Sequence, residues 1–460
     1  MKTFYKIYLA VLLLPAYNLV HAQGKAAIID TLMQRTHRLG LFNGNILVID
    51  HGKKVYQNAI GQADTTGKVK LTSEYRFHIG SIAKEFNAVG IMMLKEQGKL
   101  SLDDKVSKYL PQLPAWANTI SIKNLLQYTS GVPDVKWKTV KSDADNMDDL
   151  TKVQQLDFEP GTKYAYNNNN VFLQRRIIEK ITGLSFNRFV EEKLLKPAGM
   201  STAVVDPNEN TPLMAVSYNN NNRPGSFFYP ITGWTAVTLA DFYKWEQALE
   251  RFKLISPAST QILLTPFAPG KQCGLGGGSM QNNKLIHHQH DGISINYQAL
   301  VVADPLKGRT VILMSNNKQN NVYDINNALQ DILDGKAYVQ PKRPVISDYQ
   351  QQLATMTGEQ VIVLLKDLNV RYPEKYDVSS EKGINEVGYA LMNNKRLDAA
   401  IDLFRYNIEL HPNSGNAYDS LGEAYYNKGD KQNALKNYKR SLQLDPTNTT
   451  AKTIIAELEK

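Results

Sequence analysis

The chain of 460 residues holds one cysteine, Cys273, so no disulfide can form within it. A lone thiol can be a nucleophile, but Cys273 is expected to be a small buried hydrophobe. No block of one charge sign exists. The 53 Lys and Arg against 44 Asp and Glu give a formal +9 that is spread along the chain, which argues against a nucleic-acid partner. Long hydrophobic runs are also missing. Ile7–Leu14 is far shorter than the ~20 residues that cross a bilayer. Three histidines cluster at His287, His288 and His290. On a strand only His288 and His290 share a face, and no acidic or thiol partner stands at ligand spacing, so no metal is expected.

What is present begins with a basic start, that short apolar core and Val20-His21-Ala22, which together read as a secretory signal peptide over 1–22. No cysteine follows it to carry a lipid. Export to a periplasm or beyond is the expectation, and loss of Lys2 and Lys6 would leave a charge of about +7. Residues 23–340 read as one domain. Ala26–Arg38 is expected to be a helix, with paired strands at Gly44–Asp50 and Lys54–Gly61. Strands at Asn296–Asp304 and Arg309–Ser315 are expected to return beside that hairpin, and a helix over Val322–Leu333 to close the domain. Strands at both ends with helices between them make an α+β arrangement: an antiparallel sheet, helices packed on it and a helical insert. The asparagine runs at 167–170 and 219–222 are expected to break regular structure.

The chemistry centres on Gly80-Ser81-Ile82-Ala83-Lys84. Apolar Ile82, Phe86, Val89 and Met93 recur at helical spacing, so a buried amphipathic helix should open near Ser81. Ser81 and Lys84 then share one face. A serine hydroxyl needs a base, and a lysine with a pKa lowered by burial can serve. The same spacing at Ser379 and Lys382 lies in a polar segment without an apolar helix and reads as chance.

The phrases Phe42-Asn43-Gly44-Asn45-Ile46-Leu47-Val48, Tyr75-Arg76-Phe77-His78-Ile79-Gly80-Ser81 and Gly98-Lys99-Leu100-Ser101-Leu102-Asp103-Asp104 resemble the serine β-lactamase and penicillin-recognising hydrolase family. The likeness is to its class C-like branch of β-lactamases, D-amino-acid peptidases and esterases. The resemblance implies a nucleophile at Ser81 with Lys84, and a tyrosine proton carrier in a Tyr-x-Asn pattern. Tyr166–Asn168, Tyr218–Asn220, Tyr425–Asn427 and the related Ser315–Asn317 all fit that pattern. Only Tyr166 follows Pro160-Gly161-Thr162 and precedes a helical run. By resemblance Tyr166 is the acid/base partner and Asn168 a donor to the substrate amide. His290-Asp291-Gly292 matches the His-x-Gly form of the family's last motif. There His290 would place a hydrogen bond or positive potential near Tyr166 and a substrate carboxylate, Gly292 would let a substrate lie along the strand, and the N–H groups of Ile293 and Ser81 would form an oxyanion hole. Tyr128 departs from the histidine common before Thr129-Ser130-Gly131, and no glutamate of the class A kind can be recognised. Gly274–Gly278 lacks the lysine of a phosphate loop and reads as a turn into a strand.

After Pro341–Ser347, Tyr418, Leu421, Gly422, Tyr425, Ala434, Tyr438 and Pro446 lie 34 residues beyond Ile384, Val387, Gly388, Leu391, Ala400, Phe404 and Pro412. That period is similar to the tetratricopeptide repeat. The expected division is 341–380 for a linker and leading helices, 381–460 for the repeats, and Ala451–Leu458 as a closing helix. The whole is expected to be a serine hydrolase cleaving an amide or ester, without a cofactor. Its substrate would be a β-lactam, a D-amino-acid peptide or an ester, and the repeats could hold a protein. The alternative is a non-catalytic peptidoglycan- or protein-binding member that uses the cleft and the repeats, whose sign would be loss of Ser81, Lys84 or Tyr166. All three are present.

Overall fold

A computed structural model describes residues 24–219, 223–226, 229–319 and 322–459. The signal-peptide reading of 1–22 and most of the 219–222 run lie outside those residues. The chain forms two compact units, one chiefly of residues 43–219 and 224–339, the other chiefly from Gln340 onward.

The first unit is α+β. Strands β1 (Gly44–Asp50) and β2 (Lys53–Ile60) form the early hairpin. Strands β3 (Phe77–His78), β4 (Val204–Val205) and β5 (Thr235–Val237) are short. Strands β6 (Gly277–Gln281), β7 (Lys284–Ser294), β8 (Tyr297–Asp304) and β9 (Arg309–Ser315) come late. The main sheet runs β2-β1-β9-β8-β7-β6, and the small one β3-β5-β4, with every pairing antiparallel. Pairing of Gly44 with Ser315 brings the two ends of the domain together as expected. The contact is close because a Cβ on Gly44 would stand 1.8 Å from the Met314 carbonyl oxygen. Both β1 and β9 are buried along their full length, so their hydrophobicity is continuous rather than alternating.

Two local expectations change. The segment after Gly80 is a short 3₁₀ turn over Gly80–Ala83, and the α-helix starts at Lys84 and runs to Glu96. That helix is buried on nearly all sides from Lys84 to Met92, so it is a central rather than an amphipathic helix. The second change concerns 167–170. Instead of breaking structure, Asn167 caps the Asn168–Thr182 helix by accepting from the Asn170 amide at 3.1 Å. Its own amide donates to the Val132 carbonyl at 2.7 Å, and Asn169 donates to that of Pro133 at 2.8 Å. The run therefore latches the Tyr166 segment to the 132–134 loop.

The second unit is all helical, with Ile346–Leu353 and Gly358–Arg371 ahead of two helix pairs, Glu381–Asn393 with Leu397–Leu410 and Gly415–Lys428 with Lys431–Leu444, and then Thr449–Leu458. Its period has a packing cause. A Cβ on Gly388 would meet the Phe404 ring at 2.3 Å, and one on Gly422 would meet the Tyr438 ring at 3.2 Å. In each pair a glycine lets the aromatic ring of the second helix lie against the first. Among the described residues no helix is long and apolar enough to cross a membrane.

Candidate active site

The site lies where the Gly80–Ala83 turn packs against β7. Gly80 has φ +55°, and a Cβ there would come 2.5 Å from the Ile293 nitrogen. A Cβ on Gly292 would lie 1.8 Å from the Ile79 carbonyl oxygen and 2.9 Å from the Ser81 nitrogen. Two glycines thus let the backbones of Ser81 and Ile293 approach each other, the placement an oxyanion hole needs. Gly292 is required by the Ser81 turn itself, a different reason from the substrate contact expected of it. Strand β6 pairs with β7 only as far as Gln289, so from His290 to Ser294 that edge has no strand partner among the described residues.

On this turn Lys84 Nζ donates to Ser81 Oγ at 2.8 Å, and the Ser81 hydroxyl also bonds Tyr166. Lys84 is buried, and its Nζ stands 5.0 Å from the centre of the Tyr166 ring and 5.8 Å from that of Trp234. Burial first, and the Arg175 guanidinium second, bring its pKa down to about 7, against a smaller pull from Asp134. Neighbouring protein pushes the Tyr166 hydroxyl up to about 12, with Asp291 and Asp134 adding to the rise and the Ser81 hydrogen bond opposing it. The ring still opens to the cleft with 37% exposure. Tyr128, at φ +56°, backs that ring at 4.6 Å. Asn168 begins the helix after Tyr166, with its backbone N–H on Asp134 Oδ1 at 2.8 Å.

His290 lies within β7, opposite Val301, on the strand that precedes β8. Alternation along β7 turns 288, 290 and 292 toward the nucleophile helix. His290 is 4% exposed, and its Nδ1 donates to Glu85 Oε1 at 2.6 Å. The ring is therefore committed to a buried carboxylate and not laid open for a substrate carboxylate. His287, on the opposite face, bonds Asp304 at 2.7 Å. Glu85, Glu246 and Trp245 join His288 and His290 in a buried cluster that sequence spacing did not reveal. The one signal was Glu85 standing at the head of a mostly apolar run. Among the described residues no group of acidic, histidine or cysteine side chains converges to hold a metal ion. Cys273 is buried, and burial pushes its thiol up to about 11. Of the other Tyr-x-Asn stretches, Tyr425 packs in the repeat core, and Ser315 bonds the Asn43 and Asn317 carbonyls on β9.

An antiparallel sheet with a helical insert and a serine–lysine pair at the strand edge defines a class, the serine hydrolase-type fold of β-lactamases and transpeptidases. The chain belongs to the β-lactamase family, whose profile matches residues 26–336, and a tetratricopeptide-repeat profile matches 415–448. Among curated relatives, penicillin-binding protein 4* of Bacillus subtilis is 28% identical over 361 residues, covering 70% of this chain and 79% of that protein. Protein flp of Staphylococcus aureus is 25% identical over 320 residues, 63% of this chain and 62% of that protein. Among solved structures, a penicillin-binding protein from Bacillus halodurans superposes with a TM-score of 0.58 at 24% identity, over 66% of this chain and 99% of that one. A class C β-lactamase gives a TM-score of 0.57 at 21% identity, over 70% and 99%. The last two likenesses speak to the fold.

Proposed function

We propose that the protein is an exported serine hydrolase that cleaves an amide or ester through an acyl-enzyme on Ser81. The observation that carries this reading is the 2.8 Å contact between Ser81 Oγ and a buried Lys84 amine brought to about 7. At pH 7 about half of such an amine is neutral and able to take a proton. Lys84 removes the Ser81 proton as Oγ attacks the carbonyl carbon. The oxyanion that forms faces the N–H groups of Ser81 and Ile293. Tyr166, with a pKa of about 12, is protonated at neutral pH, which suits a donor to the leaving amine or alcohol better than a base. Asn168 would donate to the substrate amide. In the second half-reaction water adds to the acyl carbonyl, its proton passes to the Tyr166 phenolate, and the Lys84 ammonium returns its proton to Ser81 Oγ as that oxygen leaves.

The substrate class is a β-lactam, a D-alanyl peptide or a small ester. The name of the Bacillus subtilis relative, a penicillin-binding protein, supports penicillin as the first probe. The helical repeats offer a site for a protein partner. The test is intact-mass spectrometry of the mature protein after a fluorescent penicillin and, separately, a fluorophosphonate, with peptide mapping and a Ser81→Ala control. An adduct on Ser81 that the variant lacks is the expected result. A lasting penicillin adduct points to slow deacylation, and phosphonate labelling with rapid loss of penicillin points to a β-lactamase. If neither probe labels Ser81, the binding-protein reading takes its place.

A further inference from the structure

Glu85 follows the proposed base directly in sequence yet faces the other way, into the protein, and is fully buried. Three donors from two other elements converge on its carboxylate. Trp245 Nε1, from the Leu239–Glu250 helix, donates to Oε2 at 2.6 Å. From β7, His288 Nε2 donates to Oε1 at 3.1 Å and His290 Nδ1 at 2.6 Å. His288 Nδ1 meets Glu246 Oε2 at 2.7 Å. Carboxylates accept and do not donate, so an imidazole bonded to one at each nitrogen carries both protons and is charged. Although burial alone would raise the carboxyl of Glu85, the charge and hydrogen bonds of His288, with those of His290, hold it well below the usual range. The His290 ring has no room to move away, because Gly276 lies so close behind it that a Cβ would touch Cγ at 2.5 Å.

We propose that Glu85 is a positioning residue for acyl transfer: its carboxylate ties β7 to the helix of Ser81 and Lys84, and so fixes the Ile293 N–H opposite the Ser81 N–H. The inference rests on the serine-hydrolase reading of the site. Its geometric basis is that Lys84 and Glu85 are consecutive, while His290 and Ile293 are three residues apart on one strand. The knot therefore sets the gap between the two halves of the oxyanion site. A buried charge with three matched donors resists displacement, since loss of any one leaves a costly unpaired group. A misplaced oxyanion donor lowers the rate of the step that builds negative charge while leaving ground-state binding intact.

The experiment is phosphonylation kinetics with a fluorophosphonate, resolved into kinact and KI, for the wild type, Glu85→Gln, Trp245→Phe and Ser81→Ala, with inhibition by phenylboronic acid measured in parallel. For Glu85→Gln, kinact should fall about tenfold or more with KI within about twofold, and the boronate should weaken in step with kinact/KI. A role confined to stability would lower Tm and leave kinact and boronate affinity per folded molecule unchanged, which overturns the proposal. Trp245→Phe keeps the ring against Phe86, now 4.5 Å away, and removes only one donor. If Glu85→Gln does not fold, Trp245→Phe decides, with a several-fold fall in kinact supporting the proposal and none overturning it. Phosphonylation that persists in Ser81→Ala would instead overturn the reading of the nucleophile, a failure separate from that of Glu85.

Discussion

Each unit carries the pattern Ser-x-x-Lys, and the Ser81–Lys84 and Ser379–Lys382 copies have opposite surroundings. Ser81 and Lys84 straddle the junction of a 3₁₀ turn and a buried helix, with the amine on the hydroxyl and aromatic rings of Tyr166 and Trp234 around it. Ser379 is exposed in the loop before the Glu381–Asn393 helix, where its carbonyl accepts from His411 Nε2 at 2.9 Å. The next residue, Ser380, is the cap of that helix, accepting from the Gly383 amide at 3.0 Å. Lys382 is exposed in the first turn. Burial is what brings the Lys84 amine down to about 7, and Lys382 stands at the surface. Reactivity therefore belongs to the surroundings that lower the pKa, and the three-residue spacing is only the permission for contact.

The largest test of that contrast is a pair of serine variants. Ser81→Ala should lower turnover of whichever probe substrate is cleaved by about 10³-fold or more, and Ser379→Ala should leave it within about twofold. Equal effects would dissolve the distinction. Lys84→Met comes next, with a loss of about 10²–10³-fold, while the matching Lys382→Met is neutral. Lys84→Met has a second consequence of opposite sign. A lysine whose folded pKa of about 7 lies below its ordinary 10.5 binds fewer protons folded than unfolded between those values, so burying it destabilises the fold at neutral pH and stability rises with pH through that window. Removing the amine should raise Tm at pH 7 in a thermal melt, even as activity is lost.

How much of this was legible follows from where each partner stands in the chain. Ser81, Lys84 and the β1–β9 pairing could be read because local spacing and two apolar strands carry the information. Tyr166 was legible because its flanking turn and helix set it apart from the other Tyr-x-Asn and Ser-x-Asn stretches. The Glu85 knot was not, since its partners lie 160 to 205 residues away, and nothing in a single sequence ties Trp245 or His288 to residue 85. The same distance misled the reading of His290. Its motif was recognised, but which way its ring turns depends on the register of β7 and on a carboxylate from another element. The 3₁₀ start of the helix was hidden for a related reason, because Gly80 is pressed by Ile293 of β7, 213 residues away.

Within the site, Tyr166→Phe sharpens the division of labour between the amine and the phenol. It removes the leaving-group donor and keeps the ring that packs beside Lys84 and Tyr128, so kcat should fall by about 10²-fold with the fold intact. If phosphonylation of Ser81 is slowed far less than hydrolysis of an amide, Tyr166 serves the departing group. Equal slowing would give it a share in activating Ser81.

The smallest expected effect lies on Arg175, a buried guanidinium packed beside Phe172 and Phe186. Its charge holds the Lys84 amine down, as the second cause after burial. Acylation requires the neutral amine, so the rate should climb with pH through about 7 and then level off. Arg175→Met keeps much of the apolar volume and removes the charge. The protonated amine then loses a repulsive neighbour, its pKa rises, and the acidic limb of the pH–rate profile moves upward by about one unit or less. Burial remains, so the limb should not return to the range of a solvated lysine. A limb that stays in place would assign the whole depression to desolvation, and a downward shift would show that Arg175 acts on the site in the opposite sense.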